Sequence, residues 1–404
     1  MAGGFLAIAA GVGGRALFGL VLAGTVLRHL PSQESVAFFQ LLLLQSVFIN
    51  FTGGGGYVRG AAQGGCRRGA VRLLRSYLGA VGLTLAALAV AALPASVGFP
   101  GLRLPAQPWQ IAVLLSAGTA ASLAAHLQGI LSGSTGVRRI FLPLAATYAA
   151  MAIALLLLPP VGLGVALCLL ALSQSVPLVL LVASDRAARR LLCDTLRRRS
   201  GGATGAAPLQ SMAVGTAAAF YLLVFYMFRE VWAARVDADM AAAAFFIFRI
   251  SETYFQVVSL ALAGAPRLGP ATFGLAGKGR AGIVAAMLGV ACLAILQGAA
   301  ILWTQTLTAT LGVLAASAAM QLSCEALRVG TAVVSVIELR GGRNLRFLML
   351  TAVPASLSGL AGIVLPVLSG PGGLFLFATL FSAAQVVMWL CLLLFERTRR
   401  LQSA

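Results

Sequence analysis

Negative charge is scarce in this chain. Its 404 residues include only 10 Asp and Glu against 29 Lys and Arg, a net charge of +19, and charged residues make up 10% of the total. A soluble protein carries about 25% charged residues, so a soluble globular fold is excluded. Histidine is nearly missing: His29 and His126 are the only two, and no HExxH occurs. The six cysteines, Cys66, Cys168, Cys193, Cys292, Cys324 and Cys391, are scattered without a CxxC. Neither a disulfide framework nor a metal site is indicated. No GxxxxGK[ST] phosphate loop is present, because FGLAGKGR has the wrong spacing. A TVGYG filter is absent too, as is a convincing pairing of nucleophile and base. These absences argue against an ATP-driven pump, a potassium-type channel and an enzyme, and no cofactor is expected.

What the chain has is apolar length. Hydrophobic residues make up 60% of it, and apolar runs of membrane-spanning length recur throughout. In lipid every backbone polar group bonds internally, so such runs become helices. The expected fold class is an all-α polytopic membrane protein of about twelve transmembrane helices. The spans predicted are 5–27, 36–58, 77–98, 110–133, 140–158, 161–184, 206–228, 240–262, 281–302, 306–327, 347–368 and 372–395. The N-terminus lacks a basic region followed by a cleavage site, so the first span is expected to be retained.

The arginines test this layout, since Lys and Arg collect on the cytoplasmic side. With the N-terminus inside, only Arg28, Arg103, Arg229 and Arg235 fall outside, and Arg15 and Arg249 fall within spans. All the other basic residues fall on the cytoplasmic side. This alternation predicts an even number of spans with both termini cytoplasmic. The charge also predicts attraction to anionic membrane lipids. Nucleic acid is not an expected partner, because the arginines are spread over six segments with no soluble module to gather them.

The longest cytoplasmic stretch, SDRAARRLLCDTLRRRSGGATGAAP at 184–208, divides the spans six and six. The expected organisation is a first lobe at 1–184, a basic cytoplasmic linker at 185–205 and a second lobe at 206–404. A register shift of 207 aligns Phe38 with Phe245, Phe39 with Phe246, Arg28 with Arg235 and Arg139 with Arg346. An even six-helix unit implies parallel repeats. A two-fold, twelve-helix body without ATP machinery reads as a secondary transporter.

Residues 13–80 carry a resemblance. Gly14-Arg15 lies in the first span, LRHLPSQES forms a short outer turn, and the second span closes in Gly53 to Gly56, Val58-Arg59 and a basic loop. This succession resembles the start of the polysaccharide flippases of the multidrug/oligosaccharidyl-lipid/polysaccharide exporter superfamily. It departs from their pattern in lacking basic residues before the first span and a Gly-Pro step in the outer turn. The resemblance implies that a polyprenyl-diphosphate-linked oligosaccharide is flipped between leaflets, by alternating access of two lobes in a bacterial inner membrane. It also implies partnership with polysaccharide polymerase and glycosyltransferases. A cavity arginine suits a diphosphate, because guanidinium stays protonated and offers forked donors. The competing reading is another secondary transporter, a drug/cation antiporter or a major-facilitator-type carrier. The former wants acids in its cavity, and the first span has none. The latter wants an aspartate in the loop after its second span, and GGGGYVRGAAQGGCRRG has none. Further classes are a non-transporting scaffold and a membrane enzyme acting on lipid-linked sugar.

The polar residues within spans are the candidate site. Arg15 is expected either to face a cavity and meet substrate, as the resemblance favours, or to snorkel to the cytoplasmic interface. Arg249 and Glu252, in FFIFRISETYF, are three apart and share a helix face. They are read either as a structural pair or as an exchange in which Arg249 holds diphosphate in one state and Glu252 in the other. Glu252 as a proton carrier is a further option. Glu325 is a coupling candidate set against a surface pair with Arg328. Gln45 and Asn50 fit sugar hydroxyls, and fit interhelical hydrogen bonds at least as well. Arg59 is read as a diphosphate contact at the inner mouth or as a topology marker. Gly53 to Gly56 are expected to let helices approach closely or bend, and REVWAARVDAD to be a solvated outer loop.

Overall fold

Leu- and Ala-rich runs bounded by Pro, Gly and charged joints become long helices in the computed structural model. It describes residues 2–53, 56–62, 66–95, 107–132, 137–158, 161–197, 206–263, 344–370 and 372–403. The helices are α1 (Ala2–His29), α2 (Ser32–Gly53), α3 (Gly56–Ala62), α4 (Arg67–Ala95), α5 (Pro108–Leu131) and α6 (Val137–Leu156). They continue with α7 (Leu163–Ser184), α8 (Arg186–Arg197), α9 (Ala206–Ala233), α10 (Ala238–Ala263), α11 (Asn344–Val364) and α12 (Gly373–Ser403). A 3-10 turn, Pro366–Ser369, joins the last two. Seven of the described helices are long and apolar enough to cross a membrane: α1, α2, α4, α5, α6, α7 and α12. The chain is therefore an all-helical multi-pass membrane protein. The expected spans at 281–302 and 306–327, with Glu325, lie outside the described residues.

Several boundaries differ from expectation, each for a local reason. Helix α4 begins at Arg67, not near 77, so Arg67, Arg68, Arg72 and Arg75 stand on its first turns. Long arginine stems cover apolar helix surface while their heads reach water, so a basic run does not by itself end a helix. The second span stops at Gly53, and Arg59 sits on the separate α3. The linker contains α8, whose Asp185 N-cap accepts from the backbone N–H groups of Ala187 (2.6 Å) and Ala188 (3.3 Å). Helix α9 continues to Ala233, which takes Arg229, Glu230 and Trp232 out of the expected outer loop.

Contacts group the chain into two units. One comprises Met1–Leu30 and Gln40–Leu222, the other Pro31–Phe39 and Leu223–Ala404. In the first, α1 packs mainly along α6, and α5 lies against α3 and α7. Small residues permit this. A Cβ on Gly11 would stand 2.8 Å from the Phe141 ring, and one on Gly14 would stand 3.2 Å from the Ala145 backbone. The second unit is built on aromatic rings: Phe225 against Phe248 (centroids 4.7 Å apart) and Phe228 stacked on Phe377 (4.2 Å). Its α9–α10 turn is tied to the 3-10 turn, where Trp232 donates its indole N–H to the Gly370 carbonyl at 2.8 Å and Arg235 donates to the Ser369 hydroxyl at 2.6 Å. Within this unit the first turn of α2 meets that of α10. Ser32 donates to the Asp239 carboxylate, and Phe39 lies edge-on to Phe245. Ser32 and Asp239 are 207 residues apart, the same separation as the register shift expected from the sequence.

Candidate transport site

In the first unit the charged candidate is Arg15. It lies half-buried on α1, at the seam with α6, as an electrostatic neighbour of Tyr148. Tyr148 is fixed in turn, since its hydroxyl donates to the Ser173 carbonyl of α7 at 2.7 Å. Arg15 makes no ion pair among the described residues. A guanidinium held inside a span without an acid is costly, about 2.5–3.5 kcal/mol at a helix centre.

Gln45 is differently placed. It is only 2% exposed, donates to the Leu114 carbonyl of α5 at 2.7 Å and accepts from the Gln174 amide of α7, also at 2.7 Å. These bonds give it the interhelical role that sequence alone left open. Asn50 donates back to the Ser46 carbonyl of its own helix at 2.9 Å. Interhelical hydrogen bonds in membranes average about 0.6 kcal/mol and reach about 1.7. Gln45→Leu breaks two of them and strands the Gln174 amide, so it should cost roughly 1–2 kcal/mol in a reversible unfolding titration. An unchanged midpoint would show the three-helix link to be dispensable.

Arg59, on α3 just past the second span, is half-buried, and burial lowers its pKa from the ordinary value. Guanidinium starts from so high a value that it stays charged at neutral pH. Its neighbour is His126, fully buried on α5, with Nδ1 2.8 Å from the Ser122 carbonyl and the Tyr77 ring 4.7 Å away.

In the second unit, Arg249 Nη1 stands 2.9 Å from Glu252 Oε2, with the two side chains 18% and 19% exposed. The expected i,i+3 pair is therefore formed. In the register of 207 expected from the sequence Glu252 corresponds to Gln45; Gln45 is held by neighbouring helices, Glu252 by an arginine of its own helix. Sequence reasoning missed Arg229. It is 2% exposed, with its guanidinium carbon 3.8 Å from the Phe245 ring centroid and 5.6 Å from that of Phe225. The cue was Phe225 four residues earlier on the same helix face.

No protein-family model matches the sequence. No curated protein matches it significantly. Solved structures do. An inward-facing multidrug resistance MATE family transporter of the MOP superfamily aligns with a TM-score of 0.63 at 15% identity, over 95% of this chain and 94% of its own. An outward-facing counterpart gives 0.61 at 17%, over 98% and 94%. A MOP superfamily transporter from Pyrococcus furiosus, described as having a binding pocket of reverse polarity that suggests a different function, gives 0.58 at 13%, again over 98% and 94%. The chain has the fold of these transporters along nearly its whole length.

Proposed function

We propose that this protein is a secondary transporter working by alternating access, and that its cargo is a polyprenyl-diphosphate-linked oligosaccharide carried from the cytoplasmic to the outer leaflet. The setting is a bacterial inner membrane, with both termini cytoplasmic and with polymerase and glycosyltransferases as partners. The observation that carries the reading is charge. Between Glu34 at the start of α2 and Asp185 after α7 the chain has no Asp or Glu, while Arg15 stands inside α1. Such a half is suited to an anionic head and poorly suited to a cation. The Pyrococcus furiosus structure, whose binding pocket is described as of reverse polarity and suggesting a different function, supports a reading of this fold other than drug export. Arg15 and Arg249 are the diphosphate contacts in this proposal and Glu252 is the residue that releases Arg249. Arg59 receives the head at the inner mouth. The sugar meets Asn50 in preference to Gln45, whose amide is taken up by neighbouring helices.

A second reading, drug export, is favoured by the two multidrug resistance transporters that share the fold. The experiment that separates them is flipping of a fluorescent polyprenyl-diphosphate sugar in proteoliposomes, run beside efflux of a cationic dye. Wild type should flip the lipid. Arg15→Ala should slow it roughly 10- to 100-fold, the loss of a charged hydrogen bond worth about 1.5–3 kcal/mol, and Arg15→Lys should lose less. Dye efflux with no flipping across several sugar heads would establish the drug reading instead.

A further inference from the structure

The linker helix α8 has two opposed faces. Ala188, Leu191 and Thr195 are buried, while Arg186, Arg189, Arg190 and Arg197 are exposed. At 100° per residue the arginines cluster on the side opposite the buried three. None of the four makes an ion pair among the described residues. The helix is held in place by α4. Arg67 pairs with Asp194, and Arg75 donates to the carbonyls of Thr195 (3.1 Å) and Asp194 (3.2 Å), closing the C-terminal end of α8.

That attachment fixes depth. Arg67 and Arg75 are about 12 Å apart along the α4 axis at 1.5 Å per residue, so the end of α8 lies beside the first turns of α4, not beneath them. The other end follows the α7 span after a single residue, Asp185. A helix tied at both ends to the margins of spans runs at headgroup level. Arg68 and Arg72 on α4 are exposed close by, as is Leu196, at 65%. Asp194, the one acid within α8, is already engaged by Arg67. A mobile cytoplasmic tether would need none of this fixing, and charge serving only as a topology signal would need no preferred face.

We propose that α8 is an interfacial helix whose arginine face binds the headgroups of anionic phospholipids, holding the first unit at a set depth in its leaflet. Basic residues at a charged membrane surface contribute about 1 kcal/mol each, roughly fivefold in affinity. The exposed Cys193, flanked by these arginines, offers a reporter position.

The test uses the full-length protein with its other five cysteines replaced by serine and an environment-sensitive fluorophore on Cys193. It is placed in phosphatidylcholine nanodiscs with a phosphatidylglycerol fraction rising from zero. The probe should shift with the anionic fraction, and Arg186→Gln/Arg197→Gln should raise the half-saturating fraction severalfold, with Arg189→Gln/Arg190→Gln doing the same independently. Thermal melts identify any pair that fails to fold, and the other pair then decides. No response to phosphatidylglycerol, or a response equal in both glutamine pairs and the parent, overturns the proposal. A shift produced by soluble polyglutamate and not by phosphatidylglycerol also overturns it, in favour of an acidic protein partner.

Discussion

Replacing Arg249 with Met should destabilise the protein by about 2–3 kcal/mol, and adding Glu252→Gln should recover most of that loss. The reasoning is asymmetric. Removing one partner of a buried ion pair costs about 3–5 kcal/mol, because the remaining charge is stranded, while replacing both partners is often neutral. With side chains 18% and 19% exposed, this pair retains some solvent, which places the expected cost below that range. The measurement is a double-mutant cycle by reversible unfolding, with flipping assayed on the same four proteins. If the double variant regains stability but not flipping, the pair belongs to the transport path, as proposed. If it regains both, Arg249 and Glu252 only secure α10, and the diphosphate path rests on Arg15. A single variant as stable as wild type would mean that neither charge depends on the other.

That pair was legible in the sequence because three-residue spacing and an apolar context suffice to place two charges together. The helical class and the seven spans the structure describes were legible for the same reason: they follow from composition and run length, which are local properties. What was not legible depended on partners distant in sequence. Gln45 is suited to sugar or to helices until Leu114 and Gln174 are seen beside it. Arg229 reads as an outer-loop residue until Phe245 closes over it. The α8 stretch reads as a basic linker. Yet Ala188, Leu191 and Thr195 already repeat at helical spacing, a signal easily lost when a charge run is scored only for its sign. The glycines of 53–56 point in the sequence to close helix approach or a bend, and Gly53 and Gly56 do lie against Ser122 and His126 of α5.

The tightest consequence of that approach lies slightly further on, where α3 and α5 touch through their backbones. A Cβ on Gly129 would meet the Tyr57 carbonyl and the Ala61 amide, and one on Gly60 would meet the His126 carbonyl and the Ile130 amide. On both sides the obstacle is main chain, which has no rotamer to escape into. Overpacking a core costs about 1–3 kcal/mol when side chains can adjust, so Gly129→Val should exceed about 3 kcal/mol. Little monodisperse protein should survive extraction and size-exclusion chromatography. Gly82→Ala is the matched control. Its Cβ meets nothing within 4 Å on α4, and exchanging glycine for alanine inside a helix contributes about 0.5–1 kcal/mol of stability. Opposite signs at the two sites would show that the seam itself is responsible, not a general intolerance of added methyl groups. The milder Gly60→Ala then tests function. It stands next to Arg59 on α3, so prying the helices apart moves that guanidinium away from its place beside His126. Flipping should fall more than stability does. If the two fall together, Arg59 acts only through the fold.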